Sequence, residues 1–101
     1  MGEFQNRAIK MLQLTESVSH LTDTVERQRQ FLENAVRLYL AIGGKLTDFT
    51  QLEQPLDKNL KVGKEIGSMI IELSALSNLH DMDMMQAAKI ELERRVSGRS
   101  V

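Results

Sequence analysis

Between Glu3 and Ile42 the chain has neither glycine nor proline, and its apolar residues recur at helical spacing. Phe4, Ala8, Met11, Val18 and Val25 mark one stripe, and Phe31, Ala35, Leu38 and Ile42 mark another. Read continuously, the segment is one helix of about 40 residues, roughly 60 Å long at 1.5 Å per residue. That exceeds the usual helix of a small domain. The weakest stretch for helix propensity is Ser19-His20-Leu21-Thr22-Asp23-Thr24. Asp23 can cap a second helix there, with Glu26 in the third helical position as in a capping box. The segment therefore reads as one helix or, broken at Asp23, as two.

Gly43-Gly44 ends this run, because a helix C-terminus often needs a left-handed residue. The pattern dissolves from Lys45 to Leu56, where the only proline, Pro55, stands. Leu46, Phe49 and Leu52 are expected to tuck this loop against the body. Asp57 is expected to cap the next helix, whose stripe is Val62, Ile66, Met69, Ile70, Leu73 and Leu76. His80-Asp81-Met82-Asp83 interrupts it, and Asp83 can cap a last helix carrying Met85, Ala88, Leu92 and Val96. The expectation is a single all-α domain over residues 1–101. Its helices run over about 3–22, 24–43, 58–79 and 83–97, with a loop over 44–57. These three to four amphipathic helices would form a bundle completed by dimerisation, since so small a domain buries modest area alone.

Composition narrows the function classes. Thirteen basic residues against fourteen acidic give a net charge of −1, so there is no bulk attraction to nucleic acid. Without cysteine there is no disulfide framework, thiolate metal site or thiol nucleophile. No stretch approaches the roughly 20 apolar residues of a membrane span, and no secretory signal is evident, so the expected location is the cytoplasm. His20 and His80 lack a second histidine or cysteine at ligand spacing. Gly43-Gly44-Lys45 lacks the remaining residues of a phosphate loop, and no G-x-S-x-G elbow occurs. Lys58, Lys61 and Lys64 recur every three residues and read as a solvated helix side. Arg94, Arg95 and Arg99 suit the negative pole of the last helix. Met69, Met82, Met84 and Met85 gather at the junction of the last two helices, where methionine can fill a core corner or form an adaptable interface. Phe4, Met11 and Val18 are the corresponding interface candidates on the first segment, expected to pack across the subunit boundary of a homodimer.

Carboxylates that could hold a metal are sparse. Glu33 and Glu65 sit one per helix at the edge of an apolar stripe, and Asp81 and Asp83 cluster at the last turn. Glu65-Ile66-Gly67-Ser68-Met69-Ile70-Ile71 runs on through Leu73, Leu76 and Asn78 to Leu79-His80-Asp81-Met82-Asp83-Met84. This stretch resembles the MazG-like all-α nucleoside triphosphate pyrophosphohydrolases, in which a helix beginning E-h-G-D (h apolar) leads to a G-h-D-h turn. A basic stretch such as Glu93-Arg94-Arg95 often ends the next helix. Met82-Asp83-Met84 occupies the h-D-h triplet, and the family's upstream E-E-x-x-E falls on Leu32 to Leu38. The resemblance covers Phe31 to Arg95.

The resemblance implies a magnesium site of three acidic positions on one helix and two on another. This chain has Glu33 but Asn34 and Arg37 for the other two, and Glu65 but Ser68 where aspartate belongs. Placing the upstream motif on Thr15 to His20 retains only Glu16. The expectation is a MazG-like protein without its metal site or cofactor, acting as an oligomeric interaction or nucleotide-pocket module, with a further protein partner conceivable. The alternative is a magnesium-dependent pyrophosphohydrolase drawing on Glu33, Glu65, Asp81 and Asp83.

Overall fold

A computed structural model describes residues 2–16, 18–51 and 59–99 of the chain. The fold is all-α. Helices α1 (Glu3–Thr15), α2 (Val18–Thr22) and α3 (Thr24–Ala41) precede a 3₁₀ helix, Leu46–Gln51, and α4 (Val62–Leu79) and α5 (Met84–Arg99) follow. No strand occurs among the described residues.

Asp23 starts α3 as its sequence position predicts. Its carboxylate accepts the Val25 and Glu26 N–H groups at 2.9 and 3.2 Å, satisfying two donors of the first turn. The helix predicted over 3–22 carries a further break of its own, α1 ending at Thr15 and α2 beginning at Val18. Thr15 closes α1 with its hydroxyl donating back to the Leu12 carbonyl at 3.3 Å, a local bond that competes with the helical ladder. At the far end of α3, Gly43 takes φ +96°. Its N–H donates to Leu40 at 3.1 Å and that of Gly44 to Tyr39 at 2.9 Å. This is a Schellman closure, with the glycine in the left-handed position that costs other residues energy.

The second inter-helix turn uses the same geometry without a glycine. His80 ends α4, and Asp81 takes φ +56°. Asp81 N–H donates to Asn78 at 3.1 Å and Met82 N–H to Ser77 at 2.8 Å. Two residues later Asp83 opens α5, its carboxylate accepting the Gln86 N–H at 2.8 Å. The start of α4 departs from expectation. The helix begins at Val62 with Lys61 at the N-cap and no side-chain cap, so it starts where the apolar periodicity starts. Asp57, Lys58, Pro55 and Leu52 lie outside the described residues. Within the segment expected as an irregular loop, Leu46–Gln51 forms the 3₁₀ helix, with Thr50 Oγ1 donating to the Thr47 carbonyl at 2.8 Å.

Contacts divide the chain into two units. The first comprises residues 1–11 and 56–101, hence the first part of α1 with α4 and α5. Met11 and Leu92 are buried there, and Phe4, Ala8, Leu73, Leu76, Met84 and Ala88 are half-buried. Their spacing of three and four residues is the inward stripe of each helix. Arg7 donates to Glu93 at the surface of this unit. The second unit, residues 12–55, contains α2, α3 and the 3₁₀ helix. Arg27 on α3 donates to Glu16 at 2.5 Å, tying the break before α2 to the second turn of α3. Tyr39 donates its hydroxyl to Asp48 and lies against Phe49 with ring centroids 5.4 Å apart.

Candidate functional site

Glu33 lies on α3 within a ladder of charges on one side of the helix. Arg29 donates to Glu26 and, at 2.6 Å, to Glu33, while Arg37 approaches the other Glu33 oxygen at 3.7 Å. Residues three and four apart meet on a helix surface, so Glu26, Arg29, Glu33 and Arg37 follow one another along one face. Both Glu33 oxygens thus face guanidinium groups. A divalent cation would have to displace or repel two arginines to reach that carboxylate. The Arg29 guanidinium is held protonated even more firmly than usual, chiefly by its hydrogen bond to Glu26.

Glu65 is exposed in the first turns of α4, and Ser68 beside it is exposed as well. Asp81 and Asp83 have backbone duties. Asp81 occupies the left-handed position after α4, and Asp83 is the N-cap of α5. Glu33 belongs to the second unit; Glu65, Asp81 and Asp83 belong to the first. Among the described residues no group of three or more histidine, aspartate or glutamate side chains is arranged to hold a metal ion. Magnesium needs near-octahedral oxygen ligation, which a lone carboxylate cannot organise.

The methionines form a loose group around the α4–α5 turn. Met84 is half-buried and receives the Ser74 hydroxyl at 3.7 Å. Met69, Met82 and Met85 are exposed, while Phe4 is half-buried and Met11 is buried in the chain itself. The Val18 and His20 side chains lie outside what is described, and His80 is the exposed C-cap of α4. On α5, Arg94 and Arg95 both donate to Glu91, at distances of 2.6 to 2.9 Å. The Arg94 hydrogen bonds, followed by that of Arg95, pull the Glu91 carboxyl down to about 2. This basic end is thereby half-neutralised.

Two arrangements escaped the sequence reading. Tyr39 and Asp48 meet across the Gly43-Gly44 turn, and Asp48 also accepts the Lys45 N–H at 3.1 Å. The phenol is pushed above its ordinary range, mainly by that hydrogen bond, and Asp48 is lowered by the same bond. A side chain at Gly44 would stand inside 3.0 Å of the Tyr39 ring. The other is the Glu16–Arg27 pair. Acid and base eleven positions apart carry no pattern until the break at Glu16 folds one helix toward the next.

The broadest feature is apolar exposure. Among the described residues only Met11 and Leu92 are buried apolar side chains. Phe31, Leu32, Leu38 and Ile42 on α3 are exposed, as are Val62, Ile66, Ile70 and Ile71 on α4. No helix of the described residues is long and apolar enough to cross a membrane. No protein family, curated protein or solved structure matches this chain.

Proposed function

We propose that the chain is a non-catalytic, MazG-like helical module that works by association, forming a homodimer through apolar helix faces. The carrying observation is its surface. Phe31, Leu32 and Leu38 on α3 and Val62, Ile66 and Ile70 on α4 are all exposed, and contiguous exposed apolar side chains mark interaction surfaces.

Two local features support the likeness to the MazG-like family. The G-h-D-h turn places its glycine at Asp81, and Asp81 takes the left-handed backbone that glycine adopts without strain. Its aspartate falls on Asp83, which caps the following helix. The loss of catalysis rests on Glu33, whose carboxylate is occupied by Arg29 and Arg37, and on Ser68 in the position of an acid.

Two measurements test this reading. Light scattering on the full chain should return twice the monomer mass at micromolar concentration. A pyrophosphate-release assay across a nucleotide panel, with magnesium or manganese, should show no turnover. Turnover that disappears in a Glu65→Gln variant would establish the enzyme instead. A monomer would remove the associative function.

A further inference from the structure

Asp23 is the single residue between two helices, α2 ending at Thr22 and α3 beginning at Thr24. No glycine or proline obliges the chain to break there. Its φ of −77° already lies in the helical range, and only its ψ of 118° is extended. Rotation about one backbone bond therefore separates the observed bend from a helix running unbroken from Val18 to Ala41.

Two side-chain interactions hold the bend. In the first, the Asp23 carboxylate accepts the Val25 and Glu26 N–H groups. In an unbroken helix the same two donors pass to the Leu21 and Thr22 carbonyls, four residues back, so the cap stands in for two backbone bonds. The second is the Glu16–Arg27 pair, whose side chains are both half-buried. That pair belongs to the bent form, because an unbroken helix sets Val18 and Arg27 about 14 Å apart along its axis and draws Glu16 away. Arg27 then meets Asp23 instead, four residues earlier on the same face, with the acid on the N-terminal side that favours such pairs. The bent form also leaves Arg27 Nε buried with no hydrogen-bond partner among the described residues, a cost that straightening relieves by returning the group to water. Each form thus has its own partners for Val25, Glu26 and Arg27.

We infer that Asp23 is the pivot of a two-state hinge. The bent form, latched by the Asp23 cap and the Glu16–Arg27 pair, opens by bringing α2 into line with α3 and presents Arg27 to solvent. The hinge does not depend on the associative reading above, since every group in it belongs to the second unit.

The test uses the full chain with nitroxide labels on Ser19→Cys and Asn34→Cys, both exposed positions in a chain without native cysteine. Labelled chain is diluted into unlabelled chain so that only distances within one molecule are read. The straight form sets the two positions about 23 Å apart along the axis, and the bent form sets them closer. With no further change the shorter distance should dominate. Glu16→Gln should raise the long-distance population about two- to fivefold, the range expected for a partly exposed ion pair. Asp23→Ala should raise it as well, with helix content by circular dichroism increased. Thr24→Pro should return the Glu16→Gln protein to the short distance. Proline suits the first helical position, keeps the preceding residue extended and cannot stand inside an unbroken helix. Simple fraying of α2 would instead lower helix content and would not be reversed by the proline. An Asp23→Ala protein that keeps the short distance, helix content lost in either variant, or a Glu16→Gln protein that Thr24→Pro does not return would each overturn the hinge.

Discussion

Replacing Asp81 by glycine should stabilise this protein, although aspartate is the residue that evolution placed there. Asp81 has φ +56° because the Schellman closure of α4 requires a left-handed residue between His80 and Met82. An L-residue pays about 1–2 kcal/mol for that backbone, with aspartate at the lower end because it tolerates the region better than most. Glycine relieves this but returns about 0.4–1 kcal/mol through the greater freedom of its unfolded chain. Removing a carboxylate from the negative pole of α4 acts in the stabilising direction. The net expectation is a gain of about 0.5–1 kcal/mol, or a rise in melting temperature of roughly 2–8 °C for a domain of this size. Thermal and urea unfolding followed by circular dichroism would measure it, at one fixed protein concentration because association shifts the midpoint. Asp81→Ala is the control, since it removes the charge and keeps the strained backbone. Gly43→Ala, at the corresponding position after α3, should lose about 1–2 kcal/mol. If Asp81→Gly proved no more stable than Asp81→Ala, backbone strain would not be what distinguishes this position.

Gly44→Ala should destabilise the second unit by about 1–3 kcal/mol, because the new methyl collides with the Tyr39 ring; unfolding curves would report it. Tyr39 is the single tyrosine and tryptophan is absent, so a near-ultraviolet titration reads this phenol alone. Its midpoint should lie above 10.0, and Asp48→Asn should bring it back toward that value. The sign follows from a raised folded value. The Tyr39–Asp48 contact contributes fully below the ordinary tyrosine value and is lost as pH climbs through the raised one. Asp83→Ala should cost about 1 kcal/mol as a lost N-cap, whereas Asp83→Asn should be nearly neutral because asparagine caps as well. Were Asp83 a metal ligand, melting in the presence of magnesium would penalise both.

What could be read from the sequence was local chemistry. Asp23 and Asp83 as caps and Gly43 as a stop each depend on atoms within a few residues, and each stands where the pattern placed it. The start of α4 was less legible. The cap expected from the sequence was Asp57, yet the helix begins with the apolar periodicity at Val62 and does without a side-chain cap. The fate of Glu33 was partly legible. Arginines four residues before and after it announce ion pairs on one helix face, and the structure has both. Tyr39 and Asp48 were not legible, since their meeting depends on how tightly the glycine turn folds back. Nor could the sequence say that the apolar stripes of α3 and α4 stay uncovered, because periodicity identifies a face and not its occupant.

The arginines around Glu33 also bear on what this chain could become. No single substitution frees Glu33 of cations. Removing Arg37 leaves Arg29 still closed on the same carboxylate, and removing both strands an anion beside Glu26. The alternation of acid and base along this face leaves each Glu33 oxygen answered by a cation of the same helix, so the carboxylate's charge is spent locally before any ligand arrives.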